Sequence, residues 1–421
     1  MPTRRNFLTT TAAAAAAAPL IAPAVHAAGS DVLKLGIVGV GGRGSGAVAD
    51  AFKADPKTKL VAACDIFEDR LNDGVKNLKQ VYKDRVACDG KMFTGFDGYK
   101  QVIDSDIDVV LLTSTPGFRP IHFAYAIEKG KHVFMEKPHA TDASGVRTVV
   151  ESAKKAKDKG LAVCSGFTYR ADTHKRETMK RIQDGAIGDI RTVHCTYNTG
   201  PLWHRPSKTN DPAHMEYQLR NWYYFTWLSG DFIVEQAIHN IDKLHWIMGG
   251  PPVAAQAQGG RQVRTDPKWG NIFDHFSVVY EYANGARAFH QCRQIKGCQG
   301  GVIDYMIGTK GTCELMKHTI QSGDGKWEHP ENEKHNLGEA YVLEHKELYD
   351  SIRAGKPMND AERSAYSTLM GIMGREAAYT GQRITWEQML QSKQNLQPAE
   401  YAWVANPKAT EVAVPGTKKF V

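Results

Sequence analysis

The chain has 421 residues, 42% of them hydrophobic and 24% charged; at roughly 150 residues per domain this suffices for two domains with cores of their own and excludes general disorder. Lys plus Arg number 53 against 46 Asp plus Glu, and the formal charge of +7 is spread over a surface of mixed sign, which argues against a nucleic-acid partner. The seven cysteines, at 64, 88, 164, 195, 292, 298 and 313, form an odd set without a CxxC pair, so neither a disulfide framework nor a zinc ribbon is expected.

Residues 1–27 read as a processing segment. Arg4-Arg5 and Asn6-Phe7-Leu8 precede the alanine-rich run from Ala12 to Ala18, and Pro19 to Ala27 follow, the order of positive, apolar and small residues that marks an export signal. A membrane anchor needs about 20 strongly apolar residues, whereas this run is mostly alanine interrupted by prolines; no anchor is expected after processing. The arginine pair with Phe7-Leu8 resembles a twin-arginine signal, which implies a chain exported folded to the periplasm or the exterior, usually with its cofactor bound. Cleavage after Ala27 or Ala28 removes Arg4 and Arg5 and lowers the formal charge to about +5.

The apolar run Leu33 to Val38 has the pattern of a buried parallel strand and leads directly into Gly39-Val40-Gly41-Gly42-Arg43-Gly44, followed by a helical stretch from Ser45 to Lys53. In the order strand, GxGxxG, helix, the glycines permit a tight turn and close backbone approach, and the helix N-terminus meets a pyrophosphate. A second strand, Lys59 to Cys64, ends in Asp65, where an acid can accept hydrogen bonds from both adenosine ribose hydroxyls and would repel a 2′-phosphate; NAD is therefore favoured over NADP. Arg70 is open to two readings, pairing with such a phosphate or stacking on adenine.

The alternation continues with a strand over Ile107 to Thr113 ending in Ser114-Thr115-Pro116, and a helix from about Pro120 to Glu128 that carries His122. A strand over Lys131 to Met135, a helix over Asp142 to Lys159 and a strand over Leu161 to Cys164 follow. This is the rhythm of a doubly wound parallel sheet occupying residues 31–165, with ligands at the carboxyl ends of its strands. Cofactor contacts are accordingly expected from Gly39, Gly41, Gly42, Arg43, Gly44, Asp65, Arg70, Thr113, Ser114, Thr115, Pro116, His122, Glu136 and Lys137.

Glu136-Lys137-Pro138 directly follows the fourth strand of this series, with Gly130-Lys131-His132-Val133 before it and Gly185-Ala186-Ile187-Gly188-Asp189-Ile190 after it. Together with the glycine turn, these residues resemble the glucose-fructose oxidoreductase, inositol dehydrogenase and MocA family of nicotinamide-dependent sugar enzymes, over nearly the whole chain past the signal and closest to its exported twin-arginine members. The resemblance implies a Rossmann domain followed by an α+β domain, here 166–340, with an open, mostly antiparallel sheet that pairs subunits into a homo-oligomer. Candidate strands are Arg191 to Asn198, Ala254 to Val263, His275 to Tyr282, Ala286 to Arg293, Val302 to Ile307 and Thr312 to Met316. Ala283-Asn284-Gly285-Ala286 reads as a hairpin turn. Helical periodicity over Glu344 to Ala354 and Ala361 to Gly381 assigns 341–421 to helices and a tail that pack back on the Rossmann domain.

Family members commonly place an acid and a histidine four residues apart early in the second domain, working with the EKP lysine. The matching positions here are Glu235 and His239, which on a continuous helix would share a face and hydrogen-bond. The family pattern more often has Asp-x-Gly-x-His; this chain has Glu-Gln-Ala-Ile-His, which leaves the role of Glu235 open. In that arrangement His239 can be the base, Glu235 its orienter, and Lys137 either the cation that stabilises an alkoxide or a partner in the proton transfer. Tyr169, Arg170, Trp203, His204, Arg205, Trp222 and Asp242 are candidate sugar contacts through aromatic faces and guanidinium forks, and Tyr223, Tyr224 and Phe225 are as readily core. Glu235, His239, Asp242 and His245 have carboxylate and imidazole at helical spacing but no HExxH, and no metal is expected.

The function these features imply is oxidation of a secondary hydroxyl of a small carbohydrate, glycoside or polyol, with tightly bound NAD recycled in place. The alternative is glycoside cleavage through transient oxidation and elimination on the same cofactor. A noncatalytic sugar-binding protein on the same scaffold is a third reading, against which Lys137 and His239 weigh.

Overall fold

The computed structural model describes residues 31–403, 407 and 411–421; the expected export signal lies outside the described residues. Six strands, β1 (Leu33–Val38), β2 (Thr58–Asp65), β3 (Met92–Thr94), β4 (Val109–Leu112), β5 (His132–Met135) and β6 (Val163–Ser165), form a wholly parallel sheet in the order β3-β2-β1-β4-β5-β6. Because side chains alternate across a strand, neighbouring residues enter different cores. Leu35, Ile37, Val109 and Leu111 meet Ala47, Val48 and Ala51 of the helix Gly42–Ala54, whereas Val38, Val110, Leu112 and Met135 meet Phe123 and Ala126 of Arg119–Glu128 and Val146 and Val149 of Ala143–Asp158. Each such fully buried aliphatic side chain contributes about 1.5–3 kcal/mol of transfer free energy. Asp142 ends its loop as a helix cap, Oδ1 accepting from the Gly145 N–H at 2.7 Å.

The second sheet has nine strands: β7 (Ile190–Thr199), β8 (Ala254–Gly260), β9 (His275–Glu281), β10 (Arg287–Gln294), β11 (Gly301–Gly308), β12 (Gly311–Glu314), β13 (Thr319–Ser322), β14 (Gly325–Glu328) and β15 (Ile384–Thr385). Their order is β14-β13-β12-β11-β7-β10-β9-β8-β15, antiparallel throughout except for the β10/β7 pair. The hairpin at Ala283-Asn284-Gly285 closes β9 on β10, with Gly285 at φ 84°. β12 stops at Glu314, before the expected Met316, because Leu315–Lys317 turns and His318 takes a left-handed backbone at φ 52°. One face of the sheet is covered by helices. On the other, Phe289, Ile303 and Ile307 are 40%, 46% and 42% exposed.

The helix Leu337–Arg353 packs on Gly42–Ala54, placing Leu348, Tyr349 and Ile352 in the first domain's core. The next C-terminal helix also contacts the first domain and in addition reaches the second sheet. The helix Ala361–Thr380 lies between Ala143–Asp158 and strands β8 and β9, and β15 adds an edge to the second sheet. Arg375 on this helix is fully buried and donates to the Thr141 and Gly230 carbonyls at 2.7 and 3.0 Å, tying both halves to one side chain. All seven cysteines are free thiols, six of them buried. Among the described residues, no helix is long and apolar enough to cross a membrane.

Candidate active site

The carboxyl ends of the parallel strands line one cavity of about 530 Å³, running from Phe96 beyond β3, past Asp65, Gly39 and Thr113, to Glu136, Lys137 and Gly166 beside β5 and β6. The far wall comes from the second domain: Tyr197, Trp203, Arg205, Trp222, Glu235, Gln236 and His239. Gly39 holds φ +97°, and a side chain there would lie 2.8 Å from the Ser114 N–H. At Gly44 a Cβ would fall 2.0 Å from the Gly39 carbonyl oxygen, so the turn closes only without one. In contrast, a Cβ on Gly42 meets nothing within 4 Å, and one on Gly41 only Arg70 at 3.9 Å. That open space faces the first turn of a 13-residue helix and fits a diphosphate.

Asp65 accepts from the Val40 N–H at 2.8 Å and the Phe67 N–H at 3.1 Å, which fixes its carboxylate at the cavity edge, while burial pushes its pKa up. Arg70 also lines the cavity, and its Nη2 and the Thr115 hydroxyl are buried without a protein partner. His122 is bonded to Ser114 (3.0 Å) and stacked on Tyr99, and burial brings it down to about 3, so the ring is neutral. Thr113 spends its hydroxyl on the Gly39 carbonyl at 2.6 Å, bracing the turn. Arg43 is held by Glu136 at 2.5 Å and by Asp50 at 3.2 Å; burial opposes the Glu136 charge, but Arg43 outweighs it and lowers that carboxyl's pKa. Pro116 is buried in the turn Pro116–Phe118, outside the cavity lining.

Lys137 reaches across to the second domain, its Nζ donating to the Glu235 carbonyl oxygen at 2.5 Å and lying 3.3 Å from Glu235 Oε1. This corrects the expected pairing of Glu235 with His239. The helix breaks between them: Phe232–Glu235 ends, and Ile238–Met248 begins after Gln236-Ala237. His239 Nδ1 is buried with no hydrogen-bond partner. Burial, then the Lys137 and Lys243 charges, drive the His239 pKa well below its ordinary value, which keeps the imidazole neutral.

Several expected sugar contacts lie elsewhere. Asp242 is buried; burial disfavours its charge, but Arg170 (2.7 Å) and Arg363 (3.3 Å) overcome that and lower its pKa strongly, so Asp242 and Arg170 satisfy each other away from the cavity. His204 bonds the Tyr217 hydroxyl at 2.9 Å and lies outside the lining. Tyr169 stands behind the cavity, meeting His239 edge-on at 5.3 Å between ring centroids. Tyr223, Tyr224 and Phe225 are core, each 1% exposed. Trp203, Arg205 and Trp222 do face the cavity. Sequence reasoning missed Phe96 and Tyr99, which follow the three-residue β3, and the buried Arg119, whose guanidinium donates to the Pro138 carbonyl at 2.5 Å. A Phe-rich stretch without periodicity carried no signal for the first two.

The chain matches two family models, "Oxidoreductase family, NAD-binding Rossmann fold" over residues 33–164 and "GFO/IDH/MocA C-terminal domain" over residues 176–314. Inositol 2-dehydrogenase 3 of Saccharopolyspora erythraea is 26% identical over 358 residues, covering 83% of this chain and 94% of that protein. Inositol 2-dehydrogenase of Burkholderia lata is 28% identical over 288 residues, 67% of this chain and 74% of that one. Among solved structures, scyllo-inositol dehydrogenase of Lactobacillus casei with NAD(H) and scyllo-inositol aligns at TM-score 0.64 and 21% identity, over 84% of this chain and 99% of that one. Levoglucosan dehydrogenase with NADH and levoglucosan aligns at 0.64 and 18%, with the same coverage. With both of its domains matched and the glycine turn built for a dinucleotide, the chain belongs to the Gfo/Idh/MocA family of NAD-binding oxidoreductases.

Proposed function

We propose that this enzyme oxidises a secondary hydroxyl of a sugar, glycoside or polyol with a tightly held NAD. The carrying observation is that an amine fixed by Lys137–Glu235 contacts and a neutral imidazole, His239, line the same cavity as the glycine turn. When bound, the nicotinamide supplies the hydride acceptor. Of the three N–H donors of Lys137, two are engaged by Glu235, and the third is left for the substrate oxygen, where it stabilises developing negative charge. His239 accepts the hydroxyl proton. In this reading Glu235 aims the amine and leaves the imidazole to the wall formed by Tyr169 and Phe167. Trp203, Trp222 and Arg205 supply the flat faces and the fork that a sugar ring needs. The names of the inositol and levoglucosan dehydrogenases support a polyol or sugar substrate.

The export signal read at residues 1–27 supports a working enzyme in the periplasm or outside the cell, where a retained and recycled cofactor is an advantage. The exposed apolar residues of the second sheet, Phe289, Ile303 and Ile307, support that face as the contact of a homo-oligomer. Purified protein mixed with a panel of polyols and sugars tests the reaction: the near-ultraviolet absorbance of reduced nicotinamide rises with wild type. Lys137→Met and His239→Asn should each lose about 10²–10⁴-fold in rate while retaining NAD. Cleavage of aryl glycosides without net reduction would replace oxidation with the elimination chemistry, and wild-type rates in both variants would contradict the assigned roles.

A further inference from the structure

Outside the cavity lining, a carboxylate and two imidazoles converge from three separate segments. Asp172 caps the helix Thr173–Gln183, its Oδ1 accepting from the His174 and Lys175 N–H groups at 3.0 and 3.1 Å. Oδ2 in turn accepts from the His335 Nε2–H at 2.9 Å. His318 sits at the left-handed corner between β12 and β13, and its Nδ1 bonds Asn332 Oδ1 at 2.7 Å. An amide oxygen can only accept, so Nδ1 carries the hydrogen and Nε2 presents its lone pair. Single ligand atoms from Asp172, His318 and His335 lie within 4.8 Å of one another, and Asp172 and His318 are 3% and 1% exposed. A fully buried cation already occupies the point of convergence: Lys175 Nζ is 2.9 Å from Asp172 Oδ2 and 3.1 Å from His318 Nε2.

We propose that Asp172, His318 and His335 form a zinc site, from which Lys175 withdraws and at which His335 shifts its ring hydrogen from Nε2 to Nδ1 when the ion binds. One carboxylate and two imidazoles suit zinc at roughly 2.0–2.2 Å, which sets tetrahedral ligand atoms roughly 3.3 Å apart; the observed spread requires a contraction of no more than about 1.5 Å. Three protein ligands leave the fourth position to water. The Asn332 bond to His318 is the outer hydrogen bond that orients a metal-bound imidazole. No motif announces the site, because its ligands are distant in the chain and meet only when β13, the approach to the helix Leu337–Arg353 and the helix Thr173–Gln183 pack together. An ion here staples those three segments. Lys175 also stands 4.9 Å from the centre of the Tyr169 ring, which meets the His239 ring nearly at right angles.

The full chain is equilibrated with zinc, dialysed against metal-free buffer and assayed for zinc per chain, alongside His318→Asn, His335→Gln and Lys175→Met. Asparagine suits the left-handed corner, so His318→Asn removes the ligand without forcing the backbone. The expected result is about one zinc per chain in wild type, affinity weaker by on the order of tenfold or more in both histidine variants, and tighter binding in Lys175→Met, which removes the competing charge. Equal uptake by wild type and both histidine variants, or no uptake by wild type and Lys175→Met, overturns the site. Should the histidine variants fail to fold, Lys175→Met still decides, since unchanged or weaker binding there contradicts a lysine that competes with the ion.

Discussion

Lys137 and Glu235 behave as a unit: the amine is anchored by a backbone carbonyl as well as by the carboxylate. Glu235→Gln keeps the carbonyl contact and removes the charge, so kcat should fall by about tenfold, less than in Lys137→Met, with little change in retained NAD; equal losses in the two variants would mean the carboxylate itself handles the proton. Asp242 predicts a different outcome. It is the buried counter-ion of Arg170 and Arg363, so Asp242→Asn should cost about 3 kcal/mol of stability, read by denaturant unfolding, and change substrate KM little. Lys137, Asp65 and the glycines are legible from sequence because each sits at a fixed place after a strand. The fates of Arg170, His204 and Asp242 were not, since polar residues near a cleft can satisfy one another and only packing shows which partner each one finds.

At the scale of elements, the apolar strands were legible from their runs of buried residues, as in Val109–Leu112, where all four side chains are enclosed. The short strands β3, β13, β14 and β15 were not, because segments of two to four residues such as Gly325–Glu328 are too short to show a period and take their extended form from their neighbours in the ladder. Helical spacing also misled at Glu235 and His239: Gln236-Ala237 interrupts the helix, and the pair does not share a face. The glycine turn tests how far an element's geometry controls binding. Gly44→Ala places a methyl 2.0 Å from the Gly39 carbonyl oxygen, and the forced opening should weaken NAD binding by about tenfold or more and lower Tm. Gly42→Ala meets no protein atom and should leave Tm unchanged while crowding the diphosphate; a calorimetric titration with NAD distinguishes the two.

The whole molecule carries an acid sensitivity in its interior. His139, His290 and His345 are fully buried with both ring nitrogens unpartnered, and burial brings each down to about 3. The unfolded chain protonates them near pH 6.5 and the folded chain does not, so their stability contribution is complete above about pH 6.5 and is lost as pH falls toward the folded values. Each group costs up to about 1.4 kcal/mol per pH unit in that window, and Tm measured from about pH 7.5 to 4.5 should decline steadily; a flat profile would contradict neutral burial. The proposed oligomer contact on the exposed face of the second sheet has its own test: Ile303→Asp should shift the light-scattering mass toward monomer with its activity per site preserved, and a wild type that is already monomeric would contradict that contact. The two-sheet plan was legible because residue patterns report burial, while the mixed allegiance of the helix Ala361–Thr380 was not, since it is buried on all sides. The most direct test of the central claim is a crystal structure with NAD bound. The expected result places the diphosphate over Gly41 and Gly42 and the nicotinamide ring within about 4 Å of both Lys137 Nζ and the His239 ring; a nicotinamide at the Asp65 end, or the two side chains more than about 10 Å apart across it, would contradict the mechanism.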